Sequence, residues 1–346
     1  MAASHMSLSA NPLPWLLAAD ADNPGVRYFA LRDLLGAPAD TPEVRAAQAE
    51  VRRTGPVPAI LAAQDEAGFW VQPGAGYAPK YRGTLWSLLF LAQLGAGGDD
   101  PGVRRAIDYV FAHAQTPHGA FAMRGTPGTA IHCLWGNGVR AMLDLGVPPE
   151  DERLSQAIDG LARSVTGDGF GGYTRSTISG PGFPCAGNGG RPCAWGAVRT
   201  LWALAAVPPA ARTPAVEDAT RASVAFLLSH DVAKADYPYT GRISSSWFKF
   251  GYPLGYVTDV LLNLEALTAA GAATDPRLDE ALALVLAKAD AEGRWPMAYS
   301  YRGKMWLDVE QKGRPSKWVT LRALRVLKRC GRLPAEWLAA QRNRNP

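Results

Sequence analysis

The chain has 346 residues, 47% of them hydrophobic and 19% charged, with a formal net charge of +5. That is apolar material for one large core or two ordinary ones, while no apolar run reaches the ~18 residues a membrane span needs. Much of the positive excess lies near the end, at Lys304, Lys312, Arg314, Lys317, Arg322, Arg325, Lys328, Arg329 and Arg332. With no nucleic-acid motif beside it, that excess predicts a solvated face, or a small anionic ligand, before any nucleic acid.

In chain order, Met1-Ala2-Ala3-Ser4-His5-Met6 reads as an expression-tag remnant, leaving 7–346 as one expected domain. No charged-then-apolar leader follows. Five segments then join a turn residue or proline to an amphipathic run: Thr41-Pro42, Asp100-Pro101, Pro149-Glu150-Asp151, Thr213-Pro214 and Asp275-Pro276. Thr or Asp at the N-cap accepts an orphan N–H, and proline at the next position lacks only a donor that has no partner there anyway. A second type of helix alternates with these: Val26–Leu35, Thr84–Leu94, Leu134–Leu145, Ala194–Ala206, Asp259–Ala270 and Val319–Cys330. These are apolar almost all round, as helices buried on both sides must be. Five are followed by glycine, at 36, 95, 146, 271 and 331, suited to a left-handed C-cap. The pattern predicts about six inner and outer helix pairs and few strands.

Between them, Gln64-Asp65-Glu66-Ala67-Gly68-Phe69-Trp70 follows the apolar stretch Ile60–Ala63. Gln115-Thr116-Pro117-His118-Gly119-Ala120-Phe121 repeats it with Phe for Trp. Ala289-Asp290-Ala291-Glu292-Gly293-Arg294-Trp295 repeats it without the Gln, and Asp168-Gly169-Phe170 is a weak fourth copy. This Gln-x-x-x-Gly-x-Trp turn resembles the QW motif of squalene–hopene cyclases, and over most of the chain the pattern resembles the terpenoid cyclase and protein prenyltransferase superfamily. The resemblance implies an all-α fold, an α/α toroid around a central cavity, with the N-termini of the inner helices at the cavity mouth. The motif itself is structural: the Gln bonds neighbouring helix ends and the aromatic stacks on the turn.

Two inner helices open alike, with His132-Cys133-Leu134-Trp135-Gly136 and Pro192-Cys193-Ala194-Trp195-Gly196. Aligned on their C-terminal glycines, the inner helices place Arg82, Cys133, Cys193, Thr258 and Trp318 at one station, with Tyr81, His132, Pro192, Val257 and Lys317 just before it. Cys185 lies in the glycine-rich loop upstream. Three thiolates with His132 or water would form a zinc site; the alternative is buried, inert cysteines, as expected for Cys330. Four irregularly spaced cysteines are no disulfide scaffold, so a reducing cytoplasm is expected. The Asp-x-Cys zinc signature of the prenyltransferases is missing, since Arg191 and Ile131 stand two residues before Cys193 and Cys133. The Asp-x-Asp-Asp acid of the cyclases is missing too. The nearest candidates are Asp259, either a catalytic acid or a helix N-cap, and Asp308 with Glu310, either acids or partners of Lys304, Lys312 or Lys317.

The loops before the inner helices supply aromatic and basic candidates. Trp135, Trp195, Trp247, Tyr252, Trp306 and Trp318 with Tyr81 would wall an apolar or cationic ligand. Lys80, Arg82, Lys249 and Lys317 would clamp a diphosphate. The expected function is a cyclase- or prenyltransferase-like enzyme on an apolar, isoprenoid-type small molecule, with zinc assisting. The alternatives are a glycan-processing (α/α) enzyme, which needs facing carboxylates, and a ligand-binding or scaffolding toroid with a structural metal.

Overall fold

Each inner run of the sequence becomes a helix, and five of the six are sheathed by an outer one. The computed structural model describes residues 8–168 and 180–342; the tag remnant and Gly169-Phe170 of the fourth turn motif lie outside them. In order the helices are α1 (Leu13–Leu17), α2 (Pro24–Phe29, continued by a π-helical turn over Ala30–Leu35), α3 (Pro42–Arg53), α4 (Pro56–Leu61), α5 (Thr84–Leu94), α6 (Pro101–Ala114) and α7 (His132–Asp144). They continue with α8 (Glu152–Thr166), α9 (Ala194–Leu204), α10 (Pro214–Leu228), α11 (Val260–Leu267), α12 (Asp279–Leu286), α13 (Lys317–Arg329) and α14 (Ala335–Arg342). The fold is all-α. Among the described residues the named strands are β1 (Trp295–Pro296) and β2 (Pro315–Ser316), an antiparallel pair, and no helix is long and apolar enough to cross a membrane.

Caps and burial follow the expected chemistry. Asp100, Asp151, Thr213 and Asp275 each accept backbone N–H groups at their helix starts. Thr41 departs from the pattern, because its hydroxyl donates back to the Pro38 carbonyl at 2.9 Å. Glycines 36, 95, 146, 271 and 331 all take left-handed φ at or just past the inner-helix ends. A cap contributes ~1 kcal/mol, whereas each buried Leu of α5, whose every residue is buried, contributes ~1.5–3 kcal/mol. Tertiary burial therefore holds the inner helices, and the caps only set their ends. On α6 the buried set Val103, Ala106, Ile107, Val110, Phe111 and Ala114 forms one stripe, as an outer helix requires.

The repeated turns act as rivets between outer helices. Gln64 donates from Nε2 to the carbonyl of Gly102 at the start of α6, at 2.9 Å, and Gln115 donates to Arg153 in α8 at 2.7 Å. Trp70 and Trp295 are fully buried and donate their indole N–H to Ile60 and Val285 at 2.8 and 2.7 Å.

The inner helices pack in succession, α5 on α7, α7 on α9, α9 on α11, α11 on α13, and α13 on α2. Gly25 of α2 in turn lies against the Leu94 carbonyl at the end of α5. The matching outer helices α3, α6, α8, α10 and α12 cover α2, α5, α7, α9 and α11. The α7–α9 pair is close because its echoing glycines allow it. A Cβ on Gly136 would sit 2.5 Å from the Arg199 carbonyl oxygen, and one on Gly196 would sit 3.2 Å from the His132 Cβ. That approach brings the starts of α7 and α9, with Cys133 and Cys193, to one place.

A thiol-lined apolar cavity as candidate active site

At the N-terminal ends of α7 and α9 lies a cavity of about 400 Å³, within the size range of small-molecule sites. Cys133, Cys185 and Cys193 all line it, with Lys80, Tyr81, Trp195, Tyr237, Trp247 and Tyr256. The three thiols are therefore gathered from two helix starts and one loop. All four cysteines of the chain are unpaired.

The thiols are not equivalent. Burial pushes Cys133 up to about 12, with the Cys185 charge adding to the shift and the Arg199 guanidinium opposing it. Cys185 and Cys193 shift in opposite directions: the neighbouring Cys193 thiol lowers Cys185, where burial opposes and the Gly187 and Asn188 backbone N–H groups assist, and Cys185 raises Cys193, reinforced by burial. The pairing thus favours the thiolate on Cys185 over Cys193. A thiolate is the nucleophilic form of cysteine.

Among the described residues Lys80 is the one Lys or Arg side chain on this wall. Its ammonium lies 5.0 Å from the Tyr256 ring centroid and 5.4 Å from that of Tyr81, and burial lowers its pKa. Burial raises the phenols of Tyr81 and Tyr256, so both rings are neutral π faces at physiological pH. Among the described residues no Asp or Glu lies on the wall.

Other residues expected at the site are placed elsewhere. His132 is buried, its Nε2 3.0 Å from Ser164 Oγ and its ring edge-on to Phe183; burial lowers its pKa to about 4. It does not line the cavity of the thiols. Among the described residues, no three His, Cys, Asp or Glu side chains converge as a metal ion would require. The four donors expected for zinc do not fit it as they stand.

Asp259 is the N-cap of α11, accepting from Leu262 N at 2.7 Å. Both its oxygens also accept from the Arg322 guanidinium, at 3.1 and 2.9 Å. Arg322 further bonds Glu265 at 2.8 Å and the Gly251 carbonyl at 2.8 Å. Both oxygens are thus engaged by the α11 start and Arg322, which is the helix N-cap role, and Asp259 does not line the cavity of the thiols. Glu310 likewise caps α13, accepting from Ser316 Oγ and from Lys317 N.

The expected diphosphate clamp is not assembled. Arg82 donates to the Met305 carbonyl at 3.1 Å, Lys249 is exposed and bonds Ser245, and Lys317 pairs with Asp20 at 2.8 Å. Of the expected aromatic wall, Tyr81, Trp195 and Trp247 line the cavity. Trp135 is buried and donates to Ala157 in α8 at 3.0 Å. Trp318 bonds Asn23 and stacks on Tyr252 at 4.4 Å, Tyr252 bonds the Gln93 carbonyl, and Trp306 bonds Ser87 Oγ at 2.9 Å.

Tyr237, Tyr256, Ile131 and Met123 join the wall without any sequence signal beyond their loops' aromatic content. Arg199 is another unsignalled residue. It is fully buried, donates to the Val257 carbonyl at 2.8 Å and Asn137 Oδ1 at 3.3 Å, and burial lowers it to about 10. No protein-family model matches the chain, and no curated protein matches it either.

Proposed function

We propose that the chain is an α/α toroid of the terpenoid cyclase and prenyltransferase type, and an enzyme acting on an apolar, isoprenoid-like molecule with one anionic head group. The carrying observation is the apolar cavity whose described wall combines Trp195, Trp247, Tyr81, Tyr237 and Tyr256 with the ammonium of Lys80. The succession of inner helices, with α13 against α2 and α2 against the end of α5, supports the closed ring.

The chemistry of the wall favours ionisation over protonation. A proton-initiated cyclisation needs a carboxylic acid facing the substrate, and the described residues of this wall include none. In an ionisation, the C–O bond of an allylic ester breaks and its electron pair leaves with the anionic group towards Lys80. The allylic cation then rests between neutral aromatic faces, an attraction of ~2 kcal/mol or more per ring when desolvated. The glycan-processing alternative needs two facing carboxylates, which this wall also lacks. A structural metal would need the convergent donors already found missing.

The test is incubation with prenyl mono- and diphosphates and with squalene, reading product and thermal stabilisation. Prenyl phosphates should stabilise the protein and give product, and Trp247→Ala and Lys80→Ala should each weaken both effects. Neither product nor stabilisation from any prenyl phosphate would overturn the reading, and turnover of squalene alone would favour protonation.

A further inference from the structure

The turn that carries Cys185 closes on itself just before Cys193. Pro184 and Pro192 face each other in an antiparallel bridge. Cys193 N donates to the Phe183 carbonyl at 2.8 Å, and the Cys185 carbonyl accepts from the N–H groups of Asn188 and Gly190, both at 2.9 Å. Both cysteines have extended backbones, with φ −142° at Cys185 and φ −112° at Cys193. Across an antiparallel bridge, diagonal neighbours two residues apart share a face. Cys185 and Cys193 accordingly line the same cavity wall.

The fold holds this turn still. Buried Asn188 donates to the Pro192 and Pro238 carbonyls at 2.8 and 2.9 Å and accepts from Thr240 N at 3.2 Å. Arg191 donates to the Tyr239 carbonyl at 2.9 Å. Gly189 and Gly190 supply consecutive left-handed φ values of +63° and +77°, which a side chain would resist. The paired thiols are thus a fixed feature of the cavity wall, and Cys185 is only half-buried.

We propose that Cys185 and Cys193 form a reversible dithiol–disulfide site that exchanges with small-molecule disulfides entering the cavity. The inference stands on the placement of the thiols and does not rest on the isoprenoid reading. In the first step the Cys185 thiolate attacks one sulfur of the small disulfide. A mixed disulfide forms on Cys185, and one small thiolate leaves. Cys193 then loses its proton and attacks the Cys185 sulfur, closing the protein disulfide and expelling the second thiolate, which takes up a proton. Two protein thiols are oxidised by two electrons, and the small disulfide is reduced to two thiols. The low pKa of Cys185 gives a thiolate at neutral pH, the form that exchange requires.

The test equilibrates the full-length protein across ratios of reduced to oxidised glutathione, then alkylates free thiols and maps the peptides. The alkylatable thiols should fall from the four of the reduced chain to two, with a Cys185–Cys193 cross-link that dithiothreitol reverses. Cys193→Ser should instead trap one glutathione on Cys185, and Cys133→Ser should leave the cross-link unchanged. In the reduced protein, alkylation of Cys185 should persist at pH values where Cys133 no longer reacts. Retention of all four thiols at every ratio, a cross-link through Cys133 or Cys330, or stoichiometric zinc on the purified protein would each overturn the proposal. Because thiol counting needs no prenyl substrate, its failure is distinguishable from failure of the proposed enzymatic activity.

Discussion

Glu310 shows how a single buried side chain sets a pH dependence. Burial is the main cause that raises its carboxyl from 4.5 to about 7, while its bonds from Ser316 and from the Lys317 N–H pull the other way. The unfolded chain releases this proton near 4.5 and the folded chain near 7, so the native state binds the extra proton between them. Stability therefore declines as pH rises through that window and levels off above it. Glu310→Gln removes the titration and keeps one acceptor. Thermal midpoints should show the variant gaining on the wild type between about pH 5 and about pH 8, with most of the gain complete near neutrality. A constant difference between the two across that range would assign the pH dependence elsewhere. The same logic applies to the thiols: burial is the main cause that pushes Cys133 up, and their mutual interaction sets Cys185 below Cys193. Identical letters at matching helix stations thus acquire different chemistry.

The α7–α9 pair shows what an element needs beyond helix propensity. Replacing glycine by alanine inside a helix normally stabilises it by up to ~1 kcal/mol. At Gly136 the new Cβ would meet backbone, the Arg199 carbonyl, which cannot swing aside. Overpacking of that kind costs ~1–3 kcal/mol, so Gly136→Ala should lower stability despite its better propensity. At Gly196 the neighbour is the His132 Cβ at 3.2 Å, a lesser intrusion. Urea unfolding should rank Gly136→Ala well below Gly196→Ala and the wild type; equal stabilities for the two variants would refute the close-approach account. Because the same helices seat Cys133 and Cys193, Gly136→Ala should also disturb ligand binding in the cavity.

Across the whole molecule, Arg322 joins α13 to α11 through Asp259 and Glu265, all three fully or almost fully buried. Breaking a buried pair leaves an uncompensated charge and costs ~3–5 kcal/mol. Asp259→Ala should lose about that much in denaturant unfolding, and adding Arg322→Met should recover part of it. A catalytic acid would give the opposite pattern, with turnover lost and stability kept. Much of this architecture was legible in the sequence, because helix periodicity, glycine C-caps and the Gln-x-x-x-Gly-x-Trp turns are local signals written within a few residues of each other. The all-α class, the inner-helix positions and the gathering of Cys133, Cys185 and Cys193 all follow from them. The direction in which a side chain leaves its helix was not legible. Trp135 and Trp195 share a motif, yet Trp135 turns out to α8 and Trp195 to the cavity. Asp259 and Lys317 stood at inner-helix starts but found buried or nearby counter-charges contributed by segments distant in sequence, Arg322 and Asp20. By itself the sequence determined which segments are helices and which faces are apolar, since those depend on neighbours in the chain. Only the tertiary structure decided which polar groups face the cavity, because a buried charge is held by whichever distant partner satisfies it.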